Sequence, residues 1–413
     1  MAQTKRLLNT VLLILIAYRA YIVVNRPVPT EFTEPMKVRV LDEIGRIANF
    51  WMDLSVYFEF NPAPDLVKLI VNFIFKLMLE GLSRPDYNVE IHDDYISGVP
   101  VRVFIPKAKT KSVGLPAMIY LHGGGWTWFN VYTYSGYLEN LANRTNCIIV
   151  AVEYRKAPEH QFPIAYEECI SVTWKILLGK SGYPIHKEKV MVAGDGAGGG
   201  LAAAIAKRFQ KRVLMQILIN PSLQFLDFKT PSYRDNVDTI PGITSAKSEA
   251  IHWLMYCGVK HQYTPYLVEN EHTLPVVKAS KYFSFIDSKK HIPLHLSVTN
   301  KSSIQTPYFN STVGHSVQKL ITNDTLSPIL MDNLQGIPNA YIITSQYDVV
   351  RDEGIMFASR LHESKVRVKL KHYTDGFHGF FLFSAGGPFY LKLADKALSD
   401  LEQFIHVKVH GGH

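Results

Sequence analysis

A mostly parallel β-sheet covered by helices on both faces is the architecture this sequence predicts, and three observations carry the prediction. Short β-rich runs alternate with helical segments through most of residues 99–413, the trace that crossover helices leave in sequence. The run Lys189-Val190-Met191-Val192-Ala193-Gly194-Asp195-Gly196-Ala197-Gly198-Gly199-Gly200 passes from an apolar strand through small residues into a helix at 201–209, so it reads as strand, tight turn, helix. Residues 223–330 lapse into polar, aromatic and Pro-containing sequence. That stretch is too long for a plain connection and is expected to be a cap segment inserted between two core strands.

Taken in order, Lys5 and Arg6 precede an apolar run over 7–24 that is interrupted by Asn9, Thr10 and Arg19 and closed by Asn25-Arg26-Pro27. About eighteen helical residues extend roughly 27 Å, just enough for a bilayer core. No convincing small-x-small cleavage site follows, so residues 1–26 are expected to be an uncleaved signal anchor rather than a cleaved signal. Lys5 and Arg6 place the N-terminus in the cytosol and the body in the lumen, with Arg19 and Arg26 pulling the other way. Sequons at Asn143, Asn300, Asn310 and Asn323 agree with a lumenal body. Residues 27–98 form an N-terminal region whose helical pattern over 35–82 is rich in aromatics. It is either a helical layer on the main domain or an apolar cap near the membrane surface.

The main domain, 99–413, is expected to carry strands at 101–105, 117–121, 147–152, 190–193, 214–219, 340–344 and 366–371. Helices are expected at 164–178, 352–362 and 389–405. Apolar residues make up 47% of the chain, enough for a large core, and the formal charge of +8 is scattered with no block of like charges, which excludes a nucleic-acid partner. Cys147, Cys169 and Cys257 show no C-x-x-C spacing, so no metal site is expected, and one disulfide at most, its pairing open.

The chemistry is concentrated at strand ends. His122-Gly123-Gly124-Gly125-Trp126 follows the 117–121 strand. Its glycines let backbone N–H groups approach a substrate oxygen as an oxyanion hole, assigned to Gly123 and Gly124 with the N–H of Ala197. In a G-x-S-x-G elbow the serine stands at the tip of a strained turn. Here Gly194 and Gly198 hold the outer positions and Gly196 occupies the nucleophile's place. Asp348, closing the 340–344 strand region, is placed to orient an imidazole, with Asp352 better suited to cap the helix that follows. His378 sits on the Gly-flanked run Asp375-Gly376-Phe377-His378-Gly379. Elbow, Asp, His is the chain order of this hydrolase type. Tyr154 to His160 has no nucleophile or base role and is expected to be structural, with Arg155 and Glu159 as internal ion-pair candidates. Trp126, Trp128 and Phe129 suggest an aromatic-lined pocket or buried core aromatics.

Together His122 to Gly125, Tyr154 to His160, Gly194 to Gly198, Asp348 and Asp375 to His378 resemble the hormone-sensitive-lipase group of α/β hydrolases. The N-terminal anchor, Glu34-Pro35 and Tyr347 to Asp352 narrow the resemblance to arylacetamide deacetylase and its close relatives. It covers nearly the whole chain. It implies the α/β-hydrolase fold, a type II endoplasmic-reticulum membrane protein facing the lumen, and serine-hydrolase action on apolar esters, lipid-like or xenobiotic, and arylacetamides without a cofactor. Two departures stand out. The family's G-D-S-x-G serine is Gly196, and cysteines the family tends to carry are Thr127 and Ser345 here.

Glycine accepts the elbow conformation more easily than serine, so the loss is chemical. Removing such a nucleophile costs on the order of 10⁶ in kcat in a measured triad enzyme, and roughly 10³ to 10⁴ over water survives from the oxyanion hole and binding. Four readings follow: a silent or very slow scaffold that still binds an apolar ester or lipid; a carboxylesterase using a His378-activated water; a regulatory partner of an active relative; or an allele, since one base separates a serine codon from glycine. The silent scaffold stands first.

Overall fold

The computed structural model describes residues 2–61, 63–81, 87–107, 114–296 and 308–411. Eight strands form one sheet: β1 (Val89–Ile96), β2 (Val99–Pro106), β3 (Leu115–Leu121), β4 (Ile148–Val152), β5 (Ile185–Asp195), β6 (Met215–Ile219), β7 (Asn339–Tyr347) and β8 (Val368–Phe377). Their order is β1-β2-β4-β3-β5-β6-β7-β8. The β1–β2 and β2–β4 pairs are antiparallel and the remaining pairs parallel. Helices on both faces leave no solvated side to the central strands, so β3 and β4 are buried at every residue and read as unbroken apolar runs. Alternate side chains serve opposite layers: Ile119 and Leu121 join the core on one face, Met118 and Tyr120 the core on the other.

Every expected strand is present, and β8 runs on to Phe377, up to the residue before His378. β1 was not expected, and it moves the start of the sheet from the expected 101 back to Val89. As an edge strand it needs no continuous apolar run, and its middle, from Glu90 to Tyr95, is largely exposed; charged edges of this kind also discourage edge-to-edge pairing.

The helices that matter for the site are α1 (Ala2–Asn25), α2 (Pro35–Phe58), α3 (Asp65–Glu80), α4 (Ser135–Thr145), α5 (Ile164–Leu177), α6 (Ala197–Arg208), α7 (Pro231–Asp235) and α8 (Ala246–Tyr256). The long excursion between β6 and β7 holds α7, α8, several shorter helices and the helix Ser311–Ile321. Two further helices, Arg351–Glu363 and Lys392–Ile405, follow β7 and β8.

Within α1, Thr4–Asn25 is long and apolar enough to cross a membrane, and none of its most apolar window is buried. The charge that interrupts it has a partner: Arg19 Nε donates to Glu43 Oε1 of α2 at 2.5 Å. Arg26 bonds Asp42 at 2.9 Å and Glu43 at 2.7 Å.

Cys147, Cys169 and Cys257 are all free thiols, so the one disulfide left open by the sequence is not formed. Of the sequons, Asn143 is exposed on α4, Asn310 caps the helix Ser311–Ile321 through its side-chain oxygen, and Asn323 Oδ1 accepts from Thr325 N. Asn300 lies outside the described residues.

Candidate active site

The parallel strands all point the same way, so their C-terminal ends line one rim, the usual ligand edge of such sheets. The oxyanion loop leaves β3, the elbow leaves β5, Asn220 leaves β6, Asp348 follows β7 and His378 follows β8.

The elbow is built from close approaches. A Cβ on Gly194 would lie 2.3 Å from the Gly198 carbonyl oxygen, and one on Gly198 would lie 2.0 Å from that of Leu121. Only glycines let β5, α6 and β3 meet this tightly. Gly196 takes φ 51°, ψ −119°, a conformation in which a side chain is strained. Its N–H donates to Ile219 O at 2.9 Å and its carbonyl accepts from Ser222 N at 3.1 Å. A Cβ there would stand 3.2 Å from His378 Nε2.

His378 and Asp348 come together as the chain order anticipates. Nδ1 of His378 lies 3.0 Å from Asp348 Oδ2. The fully buried Asp348 also accepts Asn220 Nδ2 at 2.8 Å and the Val350 N–H at 3.0 Å. Burial depresses the basicity of His378, but the charge and hydrogen bond of Asp348, with the nearby carboxylates of Glu249 and Asp195, outweigh it and push its pKa up to about 9. The surrounding carboxylates therefore favour the protonated ring over the neutral one. Asp352 does not cap the helix after β7. It is buried, accepting Arg351 Nε at 2.9 Å and the Ser232 N–H at 2.7 Å.

One oxyanion assignment changes. The N–H of Gly123 is turned inward to Asp195 Oδ1 at 3.1 Å, so it cannot also face a substrate. The same carboxylate accepts the hydroxyls of Tyr120 and Tyr134, each at 2.8 Å. Asp195 is thus a strut that ties the elbow to the loop, and burial holds its carboxyl above the usual range. Among the described residues the N–H groups of Gly124, Gly125 and Ala197 have no backbone partner. His122 supports the loop from beneath. Its ring stacks on Tyr154, centroids 4.4 Å apart, Tyr154 OH donates to His122 O at 2.6 Å, and burial drives its pKa down to about 3, so it stays neutral.

The Tyr154–His160 run is structural, as expected, but its ion pairs lie at the surface: Arg155 with Glu168, and Glu159 with Lys68 of α3 at 2.5 Å. Trp126 belongs to the core, stacked on Tyr256 at 4.7 Å. Trp128 Nε1 donates to His252 Nε2 at 2.7 Å, and Phe129 packs on Phe75 of α3 at 4.6 Å.

Several contributors were not singled out from sequence. Glu249 is half-buried on α8, accepting Ser222 Oγ at 3.0 Å; desolvation raises its carboxyl, against the pull of His378. Nothing local in the cap insertion marks it. Asn220 carried a signal, since it closes a parallel strand. Ser345, at one departure from the family pattern, accepts the other proton of Asn220 Nδ2 at 2.9 Å.

A profile of the alpha/beta hydrolase fold matches residues 118–279 and 295–382. Among curated relatives, neutral cholesterol ester hydrolase 1 of Mus musculus is 32% identical over 387 residues, 91% of this chain and 92% of that one. Arylacetamide deacetylase of Oryctolagus cuniculus is 31% identical over 386 residues, 90% and 93% of the two chains. Among solved structures, a hyperthermophilic esterase from Pyrobaculum calidifontis superimposes with TM-score 0.58 at 24% identity, covering 88% of this chain and 97% of that one. A thermostable esterase from Pseudomonas putida gives TM-score 0.61 at 19% identity, over 82% and 88%.

Proposed function

This chain belongs to the alpha/beta hydrolase fold family, and from that premise we propose that it is a membrane-anchored ester-binding protein with little or no turnover at neutral pH. The observation that carries this is the empty position beside His378: Asp348 and His378 are hydrogen-bonded, and the place 3.2 Å from Nε2 belongs to a glycine. No acyl-enzyme can form without an Oγ. The rim still offers N–H donors to a carbonyl oxygen, and relatives named for cholesterol esters and arylacetamides point to an apolar ester, lipid-like molecule or arylacetamide as ligand. The N-terminal helix is the anchor, in the endoplasmic-reticulum membrane with the body lumenal. That placement rests on the apolar span and on the exposed sequon residue Asn143.

A His378-activated water is the second reading. It requires a neutral imidazole, which the raised pKa makes scarcer at neutral pH for a water and for a serine alike, and a loose water lacks the fixed position of a serine Oγ.

The experiment is hydrolysis of p-nitrophenyl acetate and butyrate by the purified full-length chain and by Gly196→Ser. Silence in the former with activity in the latter supports a sound triad lacking its nucleophile. Equal activity in both, abolished by His378→Ala, overturns the silent-scaffold proposal in favour of the water mechanism.

A further inference from the structure

An amphipathic helix on a globular surface turns its apolar stripe inward. α3 does the reverse. Leu66, Leu69, Ile70, Phe73, Ile74 and Leu77 recur at helical spacing and are all exposed, Phe73 and Leu66 at 67% of their full area. α2 repeats the pattern with Ile47, Phe50, Trp51, Tyr57 and Phe58, of which Tyr57 is 80% exposed. Isolated apolar residues at a surface are ordinary, but two exposed apolar stripes on consecutive helices call for an occupant.

The anchor says which occupant. Arg19 and Arg26 of the N-terminal segment are fastened to Asp42 and Glu43 of α2, so the body grips the anchor well before its end. The part left free, from Thr4 to Tyr18, is about 22 Å long at 1.5 Å per residue, short of a hydrocarbon core of about 30 Å. A span can be completed only if the body is drawn down until α2 and its neighbour meet the leaflet.

We propose that the outer faces of α2 and α3 are a second membrane contact, lying in the lipid interface beside the anchor. The partner is a lipid bilayer, and the mode is that of an interfacial helix whose apolar face sinks into the headgroup–acyl boundary. The inner face of α3 explains what this accomplishes. Phe75 packs on Phe129 of the oxyanion loop at 4.6 Å, Asn72 Oδ1 accepts Thr133 Oγ1 at 3.1 Å, and Glu80 Oε1 accepts the Gly136 N–H at 2.6 Å. One helix therefore faces lipid on one side and the rim of the site on the other, and an apolar molecule dissolved in the leaflet reaches the rim past α3 without crossing water.

The test uses the full-length chain in phosphatidylcholine nanodiscs with a bilayer-partitioned diazirine photolabel, mapped by mass spectrometry. Labelling of the α3 peptide within about threefold of the α1 peptide is expected for a helix in the interface. Leu69→Gln with Phe73→Gln should cut the α3 label about tenfold and leave the α1 label unchanged. Label confined to Thr4–Asn25 overturns the proposal, as does an α3–α3 cross-link showing that a second copy covers the stripe. Label on α3 without label on α1 keeps this proposal and defeats the anchor instead, and neither result depends on the esterase assay.

Discussion

The rim of the sheet and the outer faces of α2 and α3 break opposite rules of protein surfaces. At the rim, carboxylates that normally sit in water are buried: Asp348 is wholly enclosed and Asp195 nearly so. On α2 and α3, side chains that normally sit in a core are in the open. Each departure is compensated in a different way. The buried acids hold their own donors, since an unpaired buried charge costs several kcal/mol. The exposed apolar stripes have no compensation among the described residues. A site complete except for one side chain and a surface incomplete without lipid therefore make different demands on experiment: the first answers to point substitution, the second to environment.

The largest effect should come from restoring the rim and then breaking it. In the Gly196→Ser background, adding Asp348→Asn should lower kcat by about 10⁴, through loss of the tautomer and orientation of His378; a change below tenfold would mean that Asp348 only packs. Next, Asp195→Ala removes the shared acceptor of two tyrosine hydroxyls and leaves the Gly123 N–H with Tyr134 OH alone, and should cost about 3–5 kcal/mol, read as the denaturation midpoint of the full chain in detergent.

The third effect is pH-dependent. His378 has its folded pKa raised from 6.5 to about 9, so the protonated form is favoured by folding. The stabilisation, roughly 3 kcal/mol, is full below pH 6.5, declines between 6.5 and 9, and is absent above. Comparing the parent with His378→Gln across that window isolates it, and a difference constant with pH would break the assignment. The smallest effect belongs to the cap. Phe73→Gln should change folding stability by no more than about 0.5 kcal/mol, although Phe73 is as large and apolar as core residues whose loss costs several times that.

How much of this could be read from the sequence divides along the same line. The strand–glycine–helix run, the order Gly196, Asp348, His378, and the parallel strands are local or periodic features, and sequence displays them directly. Glu249 and the Asp195 strut are non-local: each becomes meaningful only when α8, Tyr120 or Tyr134 is carried to it by the fold. Gly123 was assigned as a donor because its neighbours were glycines, and only the position of Asp195 reveals that its N–H turns inward. The apolar stripes of α2 and α3 were visible as helical aromatics, but periodicity states that a helix has an apolar face and is silent about which way that face turns. β1 was missed because an edge strand is not required to be apolar.

The torsion at Gly196 has one further consequence. At φ 51° with His378 in near contact, any side chain there is strained, by about 1–3 kcal/mol for such conformations. A nucleophile at this position is bought with stability, so activity and robustness trade against each other at a single Cβ. A chain that no longer needs turnover gains a sturdier fold by holding glycine. A serine here would hold this same elbow under tension through every catalytic cycle.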